Sequence, residues 1–450
     1  MSALAIKYAD TGTLNPNPRN SRTHSAKQIQ QIARSIQSYG FNNPILVDAE
    51  GTVVAGHGRL EAAMKLGMAK VPTICLDHLS DAQRRAYIIA DNRLAELAGW
   101  DEEILRIEFQ ELITMDLGFD VTDLGFEMAE IDSILGEVEL GEMEDECRLS
   151  SAEEVVPVSR AGDLWQLGDH LLFCGDALDE DSYRILLGGA QAQMVFTDPP
   201  YNVRVDGHVS GLGKAKHREF VQASGEMSRA GFVEFLETAC ASMAKASTNG
   251  SIHFICMDWR HIAELVEAGT QAYSELKNIC VWVKNNGGMG SLYRSQHELV
   301  AVFKSGNSPH RNNVQLGKHG RYRTNIWEYD GMNSFQSGRD DKLAMHPTVK
   351  PTALVADAIL DCSNRKDIVL DPFAGSGTTI LAAERTGRLA RCIELDPQYV
   401  DVALHRFWTL TGERARNLWT GKYYGPQRSQ PHTDQKSSTA ILEAADERRG

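Results

Sequence analysis

The stretch Ile368-Val369-Leu370-Asp371-Pro372-Phe373-Ala374-Gly375-Ser376-Gly377-Thr378-Thr379 decides how this chain folds. Its first three residues are apolar and read as a buried strand, and Thr379 to Arg385 reads as the helix that follows. Glycines in the intervening turn let the backbone approach a ligand, and the helix N-terminus offers free N–H groups. The next apolar run, Ala390-Arg391-Cys392-Ile393, ends in Glu394, nineteen residues beyond Gly375. An acid at the tip of the following strand suits a ribose diol. Strand, glycine turn, helix, strand and acid in this order predict an α/β unit that holds a nucleoside-like ligand. No lysine follows Gly377, so the turn is not a phosphate-binding P-loop, and Leu381 stands where a dinucleotide fingerprint has its third glycine.

Upstream, the strand Met194-Val195-Phe196 runs into Asp198-Pro199-Pro200-Tyr201. Two readings are open. One is a Pro-rich turn after a strand. The other is a grip on a flat, amino-bearing base. The carboxylate accepts from the amino group, a proline carbonyl aims at it with no competing donor, and the tyrosine stacks on the ring. Two lesser motifs flank these. Cys174-Gly175-Asp176-Ala177 follows the strand Leu171-Leu172-Phe173, and His346-Pro347-Thr348-Val349-Lys350-Pro351 precedes the glycine-turn half. Taken alone, Asp176 also reads as a turn cap and Lys350 as a surface residue.

Together, Asp198–Tyr201 and Asp371–Thr378 resemble the amino-methyltransferases of DNA. The target motif precedes the cofactor motif, which is the permuted order of the family's beta group and resembles its cell-cycle-type adenine methyltransferases. The resemblance spans about residues 157–424. It implies an α/β, Rossmann-like sheet of the S-adenosylmethionine-dependent type, with S-adenosyl-L-methionine as cofactor and no metal. Carried over motif by motif, Asp198, Pro199 and Tyr201 are the catalytic residues. Asp176, Lys350, Asp371, Phe373, Gly375, Ser376, Gly377, Thr378 and Glu394 bind the cofactor. The implied substrate is double-stranded DNA, with methyl transfer to the exocyclic nitrogen of a flipped base. The acid in the first motif favours adenine N6, since cytosine-N4 members more often carry serine there; cytosine N4 stays open.

The 450 residues allow two or three domains. Residues 1–118 mix short strands and helices. Pro44–Val47 and Thr52–Ala55 form a hairpin about Asp48–Gly51, Arg59–Leu66 is a helix, and Ser80 caps a helix to Leu97. The strand Val71–Leu76 carries Pro72, which suggests a sheet edge. Asn17-Pro18-Arg19, Pro44–Val47 and Ala55-Gly56-His57-Gly58-Arg59 resemble the ParB N-terminal domain, a small α+β fold of the ParB/sulfiredoxin type. That family's nucleotide motif has two adjacent arginines. Here Gly58 replaces the first, so an accessory role on DNA or a protein partner is the expectation. A partition-type or nucleotide-switch protein with secondary methylation is the rival.

The net charge of −15 is concentrated. Residues 120–154 hold thirteen acids and one base, a local −12 that leaves −3 elsewhere, and residues 119–156 read as an acidic connector with enough apolar residues for a short helix. Residues 284–323 hold seven Lys or Arg against Glu298, a basic stretch suited to a phosphate backbone. Target-recognition insertions are expected around 203–227 and 279–340, and a disordered tail over 425–450. The eight cysteines are scattered with no C-x-x-C pair, which argues against zinc and for a reducing compartment. No secretory signal or apolar run of membrane length is present. The expectations are a cytoplasmic protein, bacterial or phage-encoded, off the membrane, with a homodimer allowed.

Overall fold

The computed structural model describes residues 4–115, 120–135, 157–203, 223, 225–285, 287, 292–318, 320–330 and 349–425. The chain divides into two compact units, Met1–Glu137 and Val138–Gly450.

The first unit contains β1 (Ile6–Asp10), α1 (Ala26–Tyr39), β2 (Ile45–Val47), β3 (Val53–Ala55), α2 (His57–Lys65), β4 (Lys70–Cys75), α3 (Asp81–Leu97), α4 (Glu102–Thr114) and α5 (Met128–Leu135). Its sheet runs β1-β4-β2-β3. The expected hairpin forms. Asp48 closes it, with Oδ1 accepting from the N–H groups of Glu50 at 3.1 Å and Thr52 at 2.8 Å. Ser80 and Gln83 cap α3 reciprocally. One expectation fails: β4 is an interior strand, because β1, which the sequence reading left out, pairs with it through Tyr8 opposite Pro72. A single missing donor in a six-residue strand leaves the neighbouring ladder bonds to hold the pair. Within the stretch read as a connector, α5 packs Met128 and Ile131 against Phe109 of α4. Residues 136–156 lie outside the described residues.

The second unit contains β5 (Leu164–Leu167), β6 (His170–Cys174), α6 (Glu180–Leu187), β7 (Ala192–Thr197), α7 (Arg229–Lys245), β8 (Ser247–Met257), α8 (Ile262–Ala272), β9 (Glu275–Val283), β10 (His297–Lys304), β11 (Ile326–Glu328), α9 (Thr352–Cys362), β12 (Ile368–Asp371), α10 (Thr378–Thr386), β13 (Leu389–Glu394), α11 (Pro397–Thr411) and β14 (Arg416–Asn417). Ten strands make one sheet in the order β11-β9-β10-β8-β7-β12-β13-β6-β5-β14. The middle five, β8-β7-β12-β13-β6, are parallel, while β10 and β5 join antiparallel on either side. Alternation along the strands sorts the core into two layers. Val195, Leu370 and Ile393 face α6, α7 and α8. Met194, Phe196 and Val369 face α9, and Cys392 and Leu172 face α10 and α11. No helix among the described residues is long and apolar enough to cross a membrane.

This topology fixes where a ligand sits. From β7 the chain crosses to β8, and from β12 it crosses to β13, on opposite sides of the β7–β12 seam. The strand order therefore reverses at that seam, and the crevice opens beyond the strands' C-terminal ends. Asp198 follows the end of β7, and Asp371 ends β12. At the far edge, β14 pairs with β5, the Trp419 indole donates to the Gly162 carbonyl at 2.8 Å, and Asp401 of α11 accepts from the N–H groups of Val158 and Ser159 at 2.9 and 3.1 Å.

Candidate active site

Both decisive motifs line one cavity. Its walls include Asp198, Pro199, Pro200 and Tyr201 from the β7 end and Asp371 to Ser376 and Thr378 from the β12 end, with Lys350, Glu394 and Tyr399.

Asp371 ties the two halves together. Its Oδ1 accepts from the Thr197 hydroxyl at 2.8 Å and the Phe373 N–H at 3.1 Å, and its Oδ2 accepts from the Thr379 hydroxyl at 2.6 Å. One carboxylate thus joins β7, the glycine turn and α10. Burial raises its pKa to about 6 against the pull of those hydrogen bonds. Thr197 and Thr379, both buried, were not among the site residues expected from sequence, although each adjoins a motif.

The glycine turn is shaped from behind. Gly377 has φ +80°, and a Cβ on it would lie 2.7 Å from the Ala403 Cβ of α11, so glycine is required there. Buried Arg406 of α11 donates through one nitrogen to the Ser376 carbonyl and hydroxyl, each at 2.9 Å, and to the Thr378 hydroxyl at 3.1 Å. Nothing near the motif in sequence signals this arginine. Glu394, at the tip of β13, accepts from the Gly375 N–H at 2.7 Å and the Asp396 N–H at 2.9 Å. Burial raises it to about 7 against those bonds. Each of its oxygens keeps a second lone pair.

Asp198 sits in a charge cluster. Its Oδ1 accepts from the Tyr201 hydroxyl at 2.5 Å and its Oδ2 from the Lys350 ammonium at 2.6 Å. Lys350 also bonds Glu298 of β10 at 2.9 Å, and Glu298 pairs with Lys284, which stands 4.5 Å over the Trp282 ring. The Tyr201 hydroxyl reaches Glu298 at 3.2 Å. Burial alone would lower Lys350, but Asp198 and Glu298 hold it above the usual lysine value. Burial raises Asp198, Lys350 opposes that rise, and Glu298 adds to it. Lys350 is only 5 % exposed, whereas Asp198 keeps 25 %, so the carboxylate still meets the cavity.

The expected residues thus fall into different places. Phe373, Gly375, Ser376 and Thr378 surround the cavity with Glu394. Lys350 stands on Asp198 rather than by the glycine turn. Asp176 caps its own turn, accepting from the Leu178 N–H at 2.9 Å, and its neighbour Ala177 reaches the cavity. His346 to Thr348 and the Gly-, Lys- and His-rich residues 204–222 lie outside the described residues. Asn202, at φ +54°, clamps the chain that returns from them, accepting from the N–H groups of Gly225 and Met227 at 3.1 Å each.

The basic stretch needs correction. Arg321 and Arg323 bond Asp357 and Asp361 on one face of α9, and Lys284 bonds Glu298. Arg311 also pairs with Asp367 at 3.7 Å, so at least four of the seven positive charges have an acidic partner within the fold. In the first unit, a Cβ on Gly58 would lie 3.0 Å from the Ile32 side chain and 3.1 Å from the His24 ring, so any larger residue there requires those two side chains to give way.

Residues 192–405 match the family model of the DNA methylases, residues 2–92 that of the ParB N-terminal domain, and residues 103–161 that of the ParB-methyltransferase HTH domain. The ParB-like nuclease domain-containing protein YnaK of Escherichia coli K12 is 44% identical over 82 residues, 18% of this chain and 94% of that protein. The DNA adenine methyltransferase YhdJ of the same organism is 26% identical over 258 residues, 52% of this chain and 80% of the relative. Among solved structures, the PvuII DNA methyltransferase (cytosine-N4-specific) aligns with a TM-score of 0.41 at 17% identity, covering 54% of this chain and 87% of that one.

Proposed function

Because the chain belongs to the DNA methylases of the N6-adenine/N4-cytosine family and opens with a ParB N-terminal domain, we infer that it methylates the exocyclic N6 of adenine at a specific DNA site. The carrying observation is that the Asp198 carboxylate and the Phe373–Thr378 turn face one cavity.

The cavity suits S-adenosyl-L-methionine. Glu394 has acceptor capacity left for ribose hydroxyls, Phe373 and Tyr399 give apolar wall, and four carboxyl groups (Asp198, Asp371, Glu394 and Asp396) against one ammonium favour a cation. When bound, the cofactor supplies a methyl group already activated on a positively charged sulfur. Phe373, Gly375, Ser376, Gly377, Thr378 and Glu394 hold it, and Asp371 fixes that turn from within.

Asp198 accepts a hydrogen bond from the target amino group, and the Pro199 carbonyl takes the second N–H. These bonds draw the nitrogen lone pair out of conjugation with the ring and offset the positive charge it acquires. Tyr201 bounds the place of the base. The amino group is paired inside a duplex, so the base must leave the stack to arrive there. The ParB-like unit supports a second contact to DNA or to a protein partner.

Mass spectrometry of nucleosides from DNA incubated with protein and methyl-labelled cofactor tests the assignment. Labelled N6-methyladenine is expected; label only in N4-methylcytosine would overturn the adenine reading and leave the methylase reading intact.

Cofactor affinity is expected to weaken as pH falls through about 7, the value to which burial raises Glu394. Ribose hydroxyls donate more strongly to the ionised carboxylate than to the neutral acid, so binding favours deprotonation and releases a proton below that pH. Calorimetry near pH 6.5 in two buffers of different ionisation enthalpy reads the proton directly. In Glu394→Gln the release should vanish.

A further inference from the structure

We propose that Glu298 is a positioning residue for methyl transfer, balancing Lys350 and Lys284 so that the Asp198 carboxylate presents its charge to the target nitrogen. The inference rests on Asp198 accepting from that nitrogen. None of the sequence motifs includes Glu298 or Lys284. The β9–β10 register, which sets Trp282 opposite Glu298, brings both to the site.

The argument is one of charge balance. Asp198, Glu298, Lys350 and Lys284 form a contiguous chain of ion pairs, with Lys350–Asp198 at 2.6 Å and Lys350–Glu298 at 2.9 Å. Two anions and two cations sum to zero. Without Glu298, two ammonium groups would face one carboxylate. Lys350 would lie fully on Asp198 and weaken it as an acceptor. The positive charge that develops on the methylated nitrogen would then meet a cationic cluster. The phenol of Tyr201, held between Asp198 and Glu298, would lose one of its two carboxylate partners.

Among the described residues, the other ionisable groups facing Asp198 are Cys256 on β8 and Asp371 on β12. Neither pairs with an ammonium in the cluster, so the balance is set by Glu298 and Lys284.

The test compares Glu298→Gln, Lys284→Met and the double variant, by the pH dependence of kcat/KM and by cofactor affinity. Glu298→Gln should lower turnover at neutral pH by about tenfold or more, with cofactor affinity unchanged. Its acid limb should move to lower pH, because removing a negative charge eases ionisation of Asp198. Lys284→Met should move the limb the other way, and the double variant, neutral again, should recover turnover relative to Glu298→Gln. A purely structural glutamate would produce neither opposite shifts nor rescue, and unmoved limbs in both single variants would overturn the proposal. If Glu298→Gln fails to fold, the shift in Lys284→Met decides. An Asp198→Ala variant that retained activity would refute the underlying reading instead.

Discussion

An Asp198→Ala variant is expected to lose about a hundred- to a thousandfold in methyl transfer while binding the cofactor with nearly unchanged affinity. The size follows from the role proposed for Asp198, an acceptor acting on the reacting nitrogen as its charge develops; comparable electrostatic deletions cost roughly a hundred- to a thousandfold each. The fold should survive, since Lys350 keeps Glu298 at 2.9 Å when Asp198 is gone. Asp198→Asn is the sharper control. It preserves shape, loses the charge, and sets an amide beside the Lys350 ammonium. Single-turnover transfer to DNA, with equilibrium cofactor binding measured on the same preparation, separates the two effects. An alanine variant that transfers methyl groups at more than a tenth of the wild-type rate would remove Asp198 from the chemistry.

The largest effect on stability is expected at Asp371. Asp371→Ala strips the acceptor from the Thr197 and Thr379 hydroxyls and the Phe373 N–H, and both threonines are buried. Leaving buried donors unpaired costs about 1–3 kcal/mol each, so a loss of roughly 3 kcal/mol in chemical denaturation is expected. Cofactor affinity and turnover should fall together, because the same carboxylate holds both halves of the cavity. Asp371→Asn should be milder. The pH dependence has a definite sign: the folded-state pKa is raised from 3.8 to about 6, so the folded protein binds the proton more tightly than the unfolded chain. The stability contributed by Asp371 therefore declines as pH rises across that window. The deficit of the asparagine variant should shrink correspondingly between pH 4 and 6.

What the sequence made legible is local. β7, β12 and β13 are apolar runs whose chemistry-bearing residues follow directly in the chain, so strand, turn and motif could be read together. Glu298 could not be read this way. It lies 97 residues from Tyr201 and reaches it only through the pairing of β10 with β9 and β8. Arg406 was silent for the same reason, since it reaches the glycine turn from α11, thirty residues beyond Ser376 in the chain. The basic stretch misled because counting charges along the chain ignores the partners that folding supplies: Asp357 and Asp361 stand outside the counted window but one helical turn apart on α9. Pro72 misled because β1, short and exposed, has little apolar pattern to mark it as the strand that covers that edge.

The pairing of β5 with β14 bears on how the second unit is made. During synthesis, Trp165 and Gln166 leave the ribosome long before Asn417 and Arg416, their ladder partners. The nascent chain therefore waits with that sheet margin open while every other strand is laid down. Arg406, which braces the glycine turn, also arrives in this closing segment. The brace on the glycine turn is thus added only when translation of the unit is nearly complete, and a chain released before residue 406 would carry both signature motifs without it.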